Sequence, residues 1–136
     1  MLVLTRRVVD KLVDHALREA PKEACGVLGG TGNRVTDAWP CRNVSSFPET
    51  CYEIAPEDLL RALDDIEAKG LEVLGFYHSH PMGLSRPSGI DEKRATWPGH
   101  SYVIVSLSKP PEITSWRWME GEGRFVEEEV KWEERI

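Results

Sequence analysis

The chain has 136 residues, with 17 Lys and Arg against 23 Asp and Glu, for a formal charge of −6. That length can bury about two-thirds of the unfolded surface in one core, and 40% hydrophobic with 29% charged residues excludes both a disordered chain and a membrane-embedded one. The negative balance disfavours nucleic acid as a partner, because a phosphate backbone demands a basic surface.

Met1-Leu2-Val3-Leu4 gives way to Thr5-Arg6-Arg7 too soon for a signal peptide or a spanning segment, so a cytoplasmic chain without membrane association is expected. Cys25, Cys41 and Cys51 are odd in number and form no CxxC pair, which argues against a disulfide framework. The hydrophobic spacing of Val8, Val9, Leu12, Val13, Ala16 and Leu17 predicts an amphipathic helix over Arg6 to Glu19, stopped near Pro21. Ala24 to Leu28 reads as a buried strand closed by a reversal at Gly29-Gly30-Thr31-Gly32-Asn33, with a return strand over Arg34 to Trp39.

Pro40 to Thr50 reads as irregular and Tyr52-Glu53-Ile54 as a short edge strand. Pro56 opens a second helix to about Lys69, with Leu59, Leu60, Leu63 and Ile66 as its apolar stripe and Gly70 as its stop. Leu71 to Tyr77 predicts a central strand ending at His78, and Ser79 to Gly89, rich in proline and glycine, a loop. Ser88 and Asp91 have capping-box spacing, which would start a short helix through Ala95. Ser101 to Leu107 and Ile113 to Met119 read as paired strands, and Arg124 to Trp132 as a further one. The fold class expected is α+β, a mixed, mostly antiparallel sheet flanked by helices, in one domain over residues 1–136.

Two of the four histidines, His78 and His80, flank Ser79 where the hydrophobic strand runs out. Alternate residues of an extended backbone project to one side, so the two imidazoles can converge on a metal. Asp91 could complete a two-histidine, one-carboxylate set with water as fourth ligand. Such an ion acts as a Lewis acid and lowers the pKa of its water, and a nearby carboxylate must shuttle the proton. Glu23, at the entry to an otherwise apolar strand, is the candidate for that role. Ser88 could donate to an oxyanion.

Each piece also has a structural explanation: a chance His-x-His pair, a capping box for Ser88 and Asp91, a last solvated residue for Glu23. A serine triad lacks a G-x-S-x-G elbow, with Ser79 pointing away from the histidines. Cys25 alternates into the core beside Val27, and the glycine cluster lacks a phosphate-loop ending. His15, on the polar margin of the first helix, and His100, in a turn, read as structural or solvent-facing. Trp97, Trp116, Trp118 and Trp132 fit either sheet packing or a protein-binding surface, and with the edge strands they leave a homodimer open.

The composite of His78-Ser79-His80-Pro81, Ser88-Gly89-Ile90-Asp91 and the upstream Glu23 in Lys22-Glu23-Ala24-Cys25-Gly26-Val27-Leu28-Gly29-Gly30 resembles the JAMM, or MPN-plus, zinc metalloprotease family. The lack of insertions is similar to its small prokaryotic members. The resemblance implies a compact JAMM/MPN fold related in shape to cytidine deaminases. It also implies zinc bound by His78, His80 and Asp91, proton handling by Glu23, and stabilisation of the tetrahedral intermediate by Ser88.

The implied reaction is cleavage of a peptide or isopeptide bond after the C-terminal glycine of a ubiquitin-like or sulfur-carrier protein. Two alternatives accompany it: release of cysteine or another small adduct from a sulfur carrier, and a non-enzymatic scaffold that binds ubiquitin-like proteins. The complete ligand set argues against the scaffold.

Overall fold

The computed structural model describes residues 1–83, 85–88, 91, 97 and 99–133. Its elements in chain order are β1 (Leu2–Leu4), α1 (Arg6–Glu19), β2 (Cys25–Thr31), β3 (Arg34–Cys41), α2 (Pro56–Ala68), β4 (Glu72–His80), β5 (Ser101–Ser106), β6 (Glu112–Met119), β7 (Arg124–Glu128) and β8 (Val130–Trp132). The strands form one sheet in the order β7-β6-β5-β4-β2-β3-β1-β8. β1 runs parallel to β3 and β8, and β4 parallel to β5. The remaining neighbours are antiparallel, so the sheet is mixed and mostly antiparallel as expected.

Strand alternation splits the core in two. Leu28, Tyr77, Val103 and Val105 pack with Val8, Val9, Leu12 and Ala16 of α1. Their neighbours in sequence, Val27, Phe76 and Tyr102, pack instead with Ala62 and Ile66 of α2. Thr5 caps α1 by accepting from the Val8 amide (3.3 Å). Pro56 opens α2 and Gly70, at positive φ, follows its end. No helix among the described residues is long and apolar enough to cross a membrane.

Several boundaries differ from the sequence reading, each for a tertiary reason. Leu2–Leu4 is a strand although three residues are too few to show a period; it forms because Leu2 and Leu4 bury completely between β3 and β8. Arg124 to Trp132 divides into two strands, β7 on β6 and β8 on β1. β2 continues through Gly29 and Gly30 to Thr31, and the reversal comes at Gly32, whose φ is positive. Gly29 and Gly30 therefore serve close packing: a Cβ on Gly30 would strike the Arg34 carbonyl.

Pro40 is accommodated inside β3 because β3 has lost its second neighbour by that point. Tyr52-Glu53-Ile54 is not a strand; its only ladder contact among the described residues is an isolated bridge between Asn43 and Ile54. Leu60 is exposed rather than part of the apolar stripe of α2, which consists of Leu59, Ala62, Leu63 and Ile66. β4 runs on through His80, so the loop begins at Pro81. The short helix expected through Ala95 lies outside the described residues except for Ser88 and Asp91.

At the β4–β5 contact, a Cβ on Gly75 would run into the Ser101 carbonyl. Gly75→Ala is expected to destabilise the fold by about 1–3 kcal/mol through overpacking, read as a lower urea midpoint with an unchanged m-value.

Candidate metal centre

Extending β4 to His80 places both histidines in regular strand geometry. His78 lies opposite Cys25 of β2 and beside Ile104 of β5, while His80 stands beside Ser106. Their rings share the α2 side of the sheet with Phe76, and Tyr77 and Ser79 point to the other side. The two Nε2 atoms are 3.0 Å apart. Asp91 Oδ2 lies 3.2 Å from each of them.

Asp91 is itself anchored by Ser88 in both directions. The Ser88 amide donates to Asp91 Oδ2 (2.8 Å), and the Asp91 amide donates to Ser88 Oγ (3.1 Å). This is the reciprocal bonding of a capping box, and it leaves Asp91 Oδ2 directed at both histidines. Glu23 is buried beside the three, and one oxygen or nitrogen from each of Glu23, His78, His80 and Asp91 lies within 4.8 Å of all the others. Glu23 Oε1, His78 Nδ1 and Ser106 Oγ are buried without a hydrogen-bond partner in the described structure. All three belong to residues in or next to the cluster.

The protonation pattern follows from these surroundings. Burial raises the Glu23 pKa to about 7, with His80 offsetting part of the shift and Asp91 adding to it. Burial opposes ionisation of Asp91 as well, but hydrogen bonds from both histidines and the Ser88 amide hold its carboxyl well below the ordinary range. Burial lowers the His78 pKa against the pull of Asp91. An ionised carboxylate and a neutral imidazole are the forms that bind a metal.

Three ligand atoms about 2.0–2.1 Å from a tetrahedral ion stand about 3.3 Å from one another. The triangle of His78, His80 and Asp91, with sides of 3.0 to 3.2 Å, is within a few tenths of an ångström of that. The donor set therefore fits a divalent metal, with Glu23 alongside.

Tyr52 stacks on the His78 ring, with centroids 4.5 Å apart and planes at 21°. The same tyrosine begins a cavity of about 400 Å³ lined by Tyr52, Glu53, Ile54, Leu59, Phe76, Trp97 and Tyr102. Neither Tyr52 nor Asn43 is a site candidate from sequence: Tyr52 reads there only as part of a short edge strand, and Asn43, which ties this segment to Glu23, lies in a stretch that reads as irregular. Ser79 does point away from the histidines, but its hydroxyl is engaged, accepting from the Ala24 amide at 2.7 Å.

The remaining candidates resolve as packing. Cys25 is fully buried and burial pushes its thiol far above the usual range, so it is unsuited to nucleophilic work. His15 is not on a polar margin; it is buried, with Nδ1 2.8 Å from the Tyr77 hydroxyl. His100 sets its ring against Trp97. Trp97, Trp116 and Trp118 pack on the α2-side core, while Trp132 is exposed.

A family profile described as prokaryotic homologues of the JAB domain matches residues 5–119. The chain belongs to that family. It is 43% identical over 103 residues to a desampylase of Haloferax volcanii, covering 71% of this chain and 74% of that protein. It is 35% identical over 125 residues to a CysO-cysteine peptidase of Mycobacterium tuberculosis, covering 89% and 85%. A protein of Desulfitobacterium hafniense solved in solution superposes with a TM-score of 0.89 at 33% identity, covering 100% of this chain and 95% of that one.

Because burial raises the Glu23 pKa from 4.5 to about 7 on folding, the fold is unpenalised below pH 4.5, loses stability as pH rises from 4.5 to 7 and carries the full penalty above that. Metal-free Glu23→Gln should therefore match the parent in stability at pH 4 and exceed it by about 1–3 kcal/mol at pH 8, measured by urea unfolding at both pH values.

Proposed function

We propose that this chain is a zinc-dependent hydrolase that cleaves a peptide or isopeptide bond after the C-terminal glycine of a ubiquitin-like or sulfur-carrier protein. The observation that carries the reading is the buried convergence of Glu23, His78, His80 and Asp91 in a member of the JAB family. The names of its relatives, a desampylase and a CysO-cysteine peptidase, support the substrate class. A cytoplasmic location belongs to the same reading.

His78, His80 and Asp91 would hold the ion, three protein ligands leaving one position open as catalytic zinc sites require. When bound, zinc supplies Lewis acidity toward the scissile carbonyl and lowers the pKa of the attacking water. Glu23, with a pKa near 7, accepts the proton of that water at its unpartnered oxygen and hands it to the departing amine nitrogen. A group poised near the working pH can do both. Ser88 accepts from the Asp91 amide through Oγ, which leaves its hydroxyl hydrogen for the oxyanion. The aromatic cavity beside His78 supplies apolar surface for the substrate tail, and glycines at the cut allow the backbone to approach the ion closely.

A second reading within the class, release of cysteine from a sulfur carrier, is favoured by the longer span of similarity to the CysO-cysteine peptidase. The two are separated by incubating the zinc-loaded protein with sulfur-carrier cysteine adducts and with lysine-linked ubiquitin-like conjugates, then identifying the released group by mass spectrometry. A chelator should stop whichever reaction occurs.

Glu23→Gln is expected to lower kcat by about 10²–10⁴-fold while zinc content by metal analysis stays at the parental value. Asp91→Ala is expected to lose both zinc and turnover. A Glu23→Gln protein that cleaves at the parental rate would sink the proposed mechanism.

A further inference from the structure

Glu23 belongs to neither a helix nor a strand, since it precedes β2 by two residues. A proton carrier in such a segment needs some other means of keeping its place opposite the histidines. The backbone around it is bonded at every polar atom. The Glu23 amide donates to the Pro48 carbonyl (2.7 Å), and the Glu23 carbonyl accepts from Asn43 Nδ2 (3.0 Å). The Ala24 amide donates to Ser79 Oγ (2.7 Å), and the Ala24 carbonyl accepts from the Ser79 amide (3.0 Å). Oε1 of the Glu23 side chain, by contrast, is buried without a partner, and a carboxylate oxygen of Glu23 lies within 4.8 Å of the donor atoms of His78, His80 and Asp91.

Two side chains thus reinforce the main-chain bonds of this segment. Ser79 stands between the two histidines on β4 with its hydroxyl on the opposite face, so one residue fixes both the strand that carries the imidazoles and the peptide that carries the carboxylate. Asn43 extends the clamp to the other wall of the site. Its Nδ2 also donates to the Cys51 carbonyl (3.1 Å), and its Oδ1 accepts from the Glu53 amide (3.1 Å). These bonds bracket Tyr52, which stacks on His78.

We propose that Ser79 and Asn43 are positioning residues that set the separation between the Glu23 carboxylate and the His78–His80–Asp91 triangle. The inference rests on the hydrolase reading for its kinetic consequence and on the geometry alone for its structural one. Neither residue touches a donor atom of the triangle, so removing the clamp displaces Glu23 and leaves the ligands in place. Loss of alignment of about 1 Å costs on the order of 10²-fold in rate.

The test uses the zinc-loaded full chain and Ser79→Ala, followed by zinc titration, steady-state kinetics on the conjugate the parent cleaves best, and amide hydrogen exchange. The expected result is zinc affinity within about threefold of the parent and KM within about twofold, with kcat down by about tenfold or more. Exchange at the Ala24 amide should rise by about tenfold or more as its acceptor disappears. A folded, zinc-loaded Ser79→Ala protein whose kcat stays within about twofold of the parent would overturn the proposal, as would a kcat that falls only in step with lost zinc.

If Ser79→Ala does not fold, Asn43→Ala decides by the same readouts, with the exchange measured at the segment 43–53. If the parent cleaves no conjugate, the hydrolase reading fails. The clamp is then judged on hydrogen exchange alone, where parental rates at Ala24 in Ser79→Ala would overturn it.

Discussion

The antiparallel pairing of β2 with β4 is the contact on which the site depends. Because Cys25 lies opposite His78, the residues before Cys25 must run alongside those after His78, which brings Glu23 to the end of β4 that carries His80, where bonds from Ser79 and Asn43 hold its backbone. A slip of one residue would turn both imidazoles toward α1. The register is secured by shape: Gly26 sits under the Tyr77 ring, where a Cβ would strike both that ring and the Trp39 carbonyl. A glycine that the sequence shows only as one residue of a buried strand is here the space in which an aromatic side chain is seated.

The two carboxylates of the site differ in protonation although they differ little in burial. Asp91 receives hydrogen bonds from two imidazoles and a backbone amide, which outweigh the cost of its desolvation and keep it ionised. Glu23 has an oxygen with no donor, and burial carries it to the edge of neutrality. Environments that push two acids apart in this way separate a fixed charge from a mobile proton. The arrangement costs stability, since buried polar atoms without partners are expensive in a folded chain. Their concentration at one end of the sheet marks that end as the part of the molecule shaped for chemistry rather than for folding.

The sheet reaches this point through unequal means. β4 and β5 carry almost continuous burial on both faces, as a central parallel pair must. The segment from Asn43 to Ile54 has a single bridge and is held mainly by side-chain bonds, chiefly those of Asn43. Regular structure therefore places the two histidines, and irregular structure places Glu23 and Tyr52. Asp91 is placed by a two-residue exchange with Ser88.

That division also separates what could be read in the chain from what could not. Periodicity was sufficient for the span of α1 and for the central strands, although Leu17 of the expected stripe is exposed, and glycine at position 70 was sufficient for the stop of α2. The His-x-His pair, the Ser88–Asp91 spacing and a charged residue at the head of an apolar strand were sufficient to nominate the four donors, because each is a local pattern with a local physical cause. β1 and the split of β7 from β8 were illegible, since strands of three to five residues are stabilised by partners far away in sequence. Leu60 belonged to the apolar count yet faces outward, as only the packing of α2 on the sheet decides which side of the stripe is buried. The bonds of Ser79 and Asn43 and the stacking of Tyr52 on His78 were equally hidden, since each forms only when segments distant in sequence bring a specific amide, carbonyl or imidazole within reach. Residue types and their local spacing fix which donors the chain carries, whereas their meeting follows from strand pairing across long stretches of chain, because convergence is a property of register and not of composition.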